Sequence, residues 1–123
     1  MAKQNTISVR VHIALNELES ILYSANQGTR YWRDAMDERD SLYMLDYEKD
    51  MTAFMLNKQR ILIVDAEEDN KVHTLDFARI KKGLTAMAKH ENRHFTDIMQ
   101  GNSDMYTADA LIQCALFGKI IYS

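Results

Sequence analysis

His90-Glu91-Asn92-Arg93-His94 is the pattern in this chain that most directly spells a reaction. Two histidines four apart share one face of a helix and can both bind Zn²⁺, while the glutamate activates a metal-bound water. That chemistry also needs a third protein ligand and hydrogen-bonding groups that orient the imidazoles. Asp97, Asp104 and Asp109 downstream and His73 upstream are available, and none stands in a third-ligand motif. Helical spacing from Thr74 puts Met87, Ala88, Glu91 and Phe95 on the apolar face, so His90 and His94 flank a buried stripe or stand at a helix end. His94-Phe95 then reads as helix-end packing. A zinc-dependent hydrolase acting through His90, Glu91 and His94 is the third of three readings.

Asp65-Ala66-Glu67-Glu68-Asp69-Asn70 alternates acids as a calcium loop does. It lacks the glycine at the sixth position and carries Asp76 where the bidentate glutamate belongs, so it reads as a solvated hairpin tip. The four glycines are isolated, no Gly-Lys-Ser/Thr occurs, and there is neither a Cys-x-x-Cys pair nor a serine elbow. No catalytic residue, cofactor or metal ligand is therefore assigned, and the expectation is a protein that is not an enzyme.

Arg30-Tyr31-Trp32-Arg33-Asp34-Ala35-Met36-Asp37-Glu38-Arg39-Asp40 carries a different kind of chemistry. Tyrosine, tryptophan and arginine contribute strongly at protein interfaces, and here carboxylates follow at once. Seven acids stand against two bases from Asp34 to Asp50. Such a stretch is attracted to a surface built to grip nucleic acid, and it repels nucleic acid itself. Tyr31 and Trp32 would anchor the contact, with Asp34, Asp37, Glu38, Asp40, Asp46 and Asp50 supplying charge. The competing account is an ordinary solvated helix face around a buried tryptophan.

The elements that must position these residues follow from periodicity and caps. A first helix beginning after Ser8 would carry Val11, Ala14, Leu15, Leu18, Ile21, Leu22 and Ala25 on one face and stop at Gly28 in a left-handed conformation. Tyr31-Trp32 fits a short strand. Ser41 can cap a second helix with Met44, Leu45, Tyr47, Met51, Phe54 and Met55 along one stripe. Arg60 to Asp65 reads as a strand covered on both faces, returning through Lys71 to Thr74 as a hairpin. Thr74 or Asp76 caps a third helix, in which Gly83 implies close packing. Ser103 or Asp104 opens the last helix, whose Ala108, Leu111, Ile112, Ala115 and Leu116 repeat cleanly. Gly118 ends it, and Ile120-Ile121-Tyr122 can add a terminal strand. The sum is an α+β fold, a small, mainly antiparallel sheet packed against about four helices.

Length and composition bound the rest. A chain of 123 residues, 46% of them hydrophobic, suits one domain over 1–123 with its own core. Cys114 stands alone among apolar residues, which predicts a buried thiol in a reducing compartment. No apolar run approaches the ~20 residues of a bilayer span, and the first residues lack a secretory core, so a cytoplasmic protein without a membrane partner is expected. The net charge of −3 is segregated: residues 34–70 sum to −7, and each flank sums to +2.

Several motifs together resemble a family of small phage and prophage proteins without assigned activity. They are Tyr31-Trp32, Ile61 to Asp65 with Glu67 and Glu68, His73-Thr74-Leu75, Gly83-Leu84 with Met87-Ala88, and His94-Phe95. The most specific is Ala108-Asp109-Ala110-Leu111-Ile112-Gln113-Cys114-Ala115-Leu116-Phe117-Gly118. Departures are Lys119 in place of glutamate, Ser123 in place of a final glycine, and a longer acidic insert over residues 34–58. Relatives often carry proline near position 92, which would make Glu91 no family feature. The resemblance implies phage origin and an α+β fold, and it transfers no catalytic residue. With the acidic stretch, it leads to the first reading: a non-enzymatic antagonist of a bacterial defence system, a CRISPR or restriction complex, occupying a basic nucleic-acid-binding surface in the bacterial host. Self-association is compatible with it. The second reading is a protein that sequesters a nucleotide signal, with Tyr31 or Trp32 stacked on a base and Arg30 and Arg33 on phosphates.

Overall fold

The computed structural model describes residues 10–44, 52–56 and 58–123. Its architecture is α+β, with helices packed around the last helix and a two-stranded antiparallel sheet set against it. Helix α1, Leu15–Gly28, buries Leu18, Ile21, Leu22 and Ala25, the stripe its spacing predicts. It starts later than expected. Ser8 lies outside the described residues, Val11 is 49% exposed, and the β-branched Val11 and Ile13 precede the first helical turn, where side-chain crowding disfavours them. Gly28 also differs from expectation. It is not left-handed; a Cβ there would collide with the backbone carbonyl of Met105, so glycine lets two helices meet end to end.

Strands β1, Ile61–Asp65, and β2, Lys71–Leu75, pair in the register Ile61 with Leu75, Ile63 with His73 and Asp65 with Lys71. The connection is a 3₁₀ turn, Ala66–Glu68, followed by Asp69 and Asn70 at φ 52° and 57°. Both are residue types that enter the left-handed region at modest cost.

Tyr31 and Trp32 form no strand. They lie in turns, and only Arg33 makes a single bridge, to Asp65. Residues 34–41 nevertheless run along the open edge of β1 and satisfy it. Asp34 donates its amide to the Val64 carbonyl (2.9 Å) and Ser41 to that of Leu62 (2.8 Å). In return the Leu62 amide donates to Ser41 Oγ (2.8 Å) and the Val64 amide to Asp40 Oδ2 (3.0 Å). Side chains thus complete the ladder where a third strand would stand. The second helix expected from Ser41 is a 3₁₀ turn over Leu42–Met44, and residues 52–55 are helical; the intervening Leu45, Tyr47 and Met51 lie outside the described residues.

Helix α2, Phe77–His90, is capped by the Asp76 carboxylate, which accepts from the Arg79 amide (2.8 Å). Ile80, Gly83 and Met87 face inward. Gly83 sits so close to the last helix that a Cβ would come within 2.8 Å of the Ala115 backbone nitrogen. Glu91, at φ −130° and ψ 55°, breaks the chain out of α2, and a separate helix α3 runs over Asn92–Met99. Asp104 caps helix α4, Met105–Phe117, accepting from the amides of Tyr106 (3.0 Å) and Thr107 (2.9 Å). The residues of α4 from Thr107 to Ala115, Asp109 apart, are buried, because α1, α2, α3 and β2 all pack on it. It is a central helix, enclosed almost all round. Gly118 ends it in the left-handed conformation, and Ile120-Ile121-Tyr122 follows as an irregular tail.

Candidate functional site

Trp32 is 1% exposed. Its ring stacks on Tyr122 (5.4 Å between centroids) and meets Phe117 edge-on (5.8 Å), and its indole N–H donates to Asp109 Oδ1 (2.8 Å). Tyr31 is half exposed, and its hydroxyl donates to Asp109 Oδ2 (2.5 Å) and accepts from Gln113 Nε2 (3.1 Å). Burial and the neighbouring carboxylate raise that hydroxyl's pKa well above the usual tyrosine range. Gln113, wholly buried, also accepts with Oε1 from the amides of Ile121 and Tyr122 (2.8 Å each), fastening the tail. The aromatic pair expected to anchor a partner therefore anchors the chain's own terminus, and Trp32 is not offered to solvent.

Asp40 is equally internal. Both its oxygens bind Arg33 Nε (3.1 and 3.2 Å), and it accepts the Val64 and Leu42 amides, while Arg33 reaches Asn26 and Thr29. Burial pushes the carboxyl up and the guanidinium down from their ordinary ranges, and each charge partly restores the other. A surface role for Asp40 gives way to this buried pair. Asp46 and Asp50 lie outside the described residues.

The other acids form a face that sequence reasoning saw only in two pieces. Asn70 Nδ2 donates to Asp34 Oδ2 (3.0 Å) and Asp37 Oδ2 (3.3 Å), and Arg39 Nη2 donates to the Asn70 carbonyl (3.2 Å). The hairpin tip is thereby pinned to the 34–39 loop. Asp34 and Asp37 are partly buried; Glu38 on the loop and Glu67, Glu68 and Asp69 on the hairpin tip are exposed. Arg39 grips Asp37 (2.7 and 2.9 Å) and holds its carboxyl well below the usual range. The legible signal was a lone hairpin whose first strand needed an edge partner, followed by Asn70 at a turn.

His90 and His94 do not share a helix. His90 is the exposed last residue of α2, Glu91 is the break, and His94 belongs to α3. Of the third-ligand candidates, Asp104 caps α4, Asp109 binds Tyr31 and Trp32, and His73 lies on β2. Among the described residues, the group of three or more metal-ligating side chains brought within reach of one another is Asp65, Glu68 and His73, with ligand atoms all within 4.8 Å.

A cleft of about 830 Å³ opens between the end of α1, the start of α4 and the tail, lined by Arg30, Tyr31, His94, Tyr106, Asp109 and Tyr122 among others. Arg30 and Tyr31 face it; Trp32 and Arg33, engaged as above, do not line it. Cys114 is buried, and burial pushes its thiol up to about 11. Among the described residues, no helix is long and apolar enough to cross a membrane. No protein-family model matches this chain, and neither a curated protein nor a solved structure shows significant similarity to it.

Proposed function

We propose that this chain is a non-enzymatic binding protein whose acidic face occupies a basic, nucleic-acid-gripping surface on a partner, as a phage-encoded antagonist of a bacterial defence complex would. The observation that carries the reading is the junction at Asn70, which joins the acids of the 34–39 loop to those of the hairpin tip. Bonds at Asn70 and along the β1 edge fix the loop and hairpin backbone, so the exposed Glu38, Glu67, Glu68 and Asp69 present their charge from a pre-ordered frame at low entropic cost. Concentrated negative potential speeds encounter with a basic surface and disfavours nucleic acid. The phage and anti-defence part rests on the terminal motif through Gln113 and Gly118 and on the sign of this face.

The test is capture from bacterial lysate by the immobilised chain and by a variant with Glu38→Lys, Glu67→Lys and Asp69→Asn. Asparagine suits the left-handed backbone at 69, so the variant keeps the turn. The expected result is a nucleic-acid-binding host complex retained by the parent, released by salt, and missing from the variant. An identical captured set rejects the acidic face.

The cleft beside Tyr31 favours the second reading, sequestration of a nucleotide signal, in the reduced form that Arg30, Tyr31 and Tyr106 allow. A nucleotide that raises the melting temperature, with the rise lost in Arg30→Ala, supports this reading and is not expected of the first.

A further inference from the structure

Asp65 closes β1 with its side chain wholly buried. Its Oδ1 accepts the Glu67 amide (3.0 Å) and its Oδ2 accepts the Tyr122 hydroxyl (2.7 Å). Among the described residues no lysine or arginine pairs with it, and the imidazole Nε2 of His73 stands 3.6 Å from Oδ2. That separation is too long for a hydrogen bond. The Nε2 atom is buried and has no hydrogen-bond partner at all. An orphaned buried nitrogen facing a buried carboxylate is costly unless something between them is bound. Glu68 supplies the third ligand atom, and the three lie within 4.8 Å of one another.

We propose that Asp65, Glu68 and His73 bind a divalent transition-metal ion of the Zn²⁺ class. Bonds of 2.0–2.1 Å in a tetrahedral site put neighbouring ligand atoms roughly 3.3 Å apart, close to the gap between His73 and Asp65. One imidazole with two carboxylates suits zinc or its neighbours, whereas calcium and magnesium take all-oxygen sets. Three protein ligands leave a fourth position for water. Two neighbours hold these ligands in place. Tyr122 orients Asp65 by its hydroxyl, and Phe117 lies edge-to-face with the His73 ring at 5.1 Å and 89°. The acid-rich loop that fails as a calcium site in sequence thus becomes part of a mixed nitrogen–oxygen site once β2 brings His73 back beside Asp65. The ion would clasp the two strands of the hairpin and its connecting turn to one another.

Chelator-stripped full-length chain, titrated with Co²⁺ and then Zn²⁺, tests this. The expected result is a visible Co²⁺ band of a four-coordinate site, saturating at one equivalent and displaced by Zn²⁺, with a Zn²⁺-dependent rise in melting temperature. Glu68→Gln, at an exposed position that leaves the fold intact, and His73→Gln should each weaken binding by about tenfold or more, while the His90→Ala/His94→Ala variant binds as the parent does. Failure to saturate, affinity unchanged by both Glu68→Gln and His73→Gln, or loss in the His90→Ala/His94→Ala variant would overturn the site. So would His73 ring resonances that move with protons and stay fixed on adding Zn²⁺, the mark of a plain ion pair with Asp65. None of these variants alters Glu38, Glu67 or Asp69.

Discussion

Gln113 and Asp109 on α4 show how polar side chains can hold an interior together when each of their atoms is matched. Gln113 serves the amides of Ile121 and Tyr122 on one side and Tyr31, Asp109 and the Tyr122 carbonyl on the other. Gln113→Ala strands several of these groups at once, and urea unfolding should show a loss on the order of 2–4 kcal/mol. Tyr122 makes a pH-dependent contribution. Burial, with the bond to Asp65, pushes its hydroxyl up to about 12 from an ordinary 10. An acid whose folded value is raised stabilises the fold fully below its unfolded value, so this contribution is complete below pH 10 and lost between pH 10 and 12. Stability measured across that window should fall more steeply for the parent than for Tyr122→Phe. Little of this was legible beforehand. The sequence marks Tyr31 and Trp32 as large amphipathic groups, but their partner, Asp109, lies 77 residues beyond Trp32.

Caps and close approaches decide the helices, and these were the readable elements. Asp76 and Asp104 were both candidate caps, and each accepts the amides that its position requires. Asp104→Ala should cost about 1 kcal/mol in urea unfolding, with a shorter protected span in hydrogen exchange of α4. The bonds from Thr107 hold the Asp104 carboxyl below its usual range, so its contribution is present above the ordinary carboxylate value and fades as pH falls through the depressed one. Gly83 offers a test of sign. In an open helix Gly→Ala gains about 1 kcal/mol, but the Ala115 backbone blocks that methyl, so Gly83→Ala should destabilise by roughly 1–3 kcal/mol. A lowered melting temperature checks it. What stayed hidden has a common cause in tertiary demand. Nothing at Glu91 resembles a helix stop, yet the chain turns there and buries Ile98 on α3. The β-propensity of Trp32 reflected burial, which a turn supplies as well as a strand.

Over the whole molecule, the charge segregation visible in the sequence survives folding in altered form. Two of its carboxylates turn inward: Asp40 into the pair with Arg33, and Asp65 towards His73 and Tyr122. Among the described residues, the 34–39 loop with Asp34, Asp37 and Glu38 is joined to the hairpin tip with Glu67, Glu68 and Asp69, because residues 34–41 complete the β1 edge and Asn70 bridges loop to hairpin. Sequence composition could give the sign of this face but not its membership, since Asp34 and Asp37 meet Asn70, 36 and 33 residues away, only in the fold. The measurement that reaches this account most directly is the dependence of partner affinity on salt, for the parent and for Glu38→Lys/Glu67→Lys/Asp69→Asn. Rising salt should weaken the parent's binding steeply, and the variant should bind more weakly with a flatter dependence. Equal affinity and equal slope for the two proteins would contradict it.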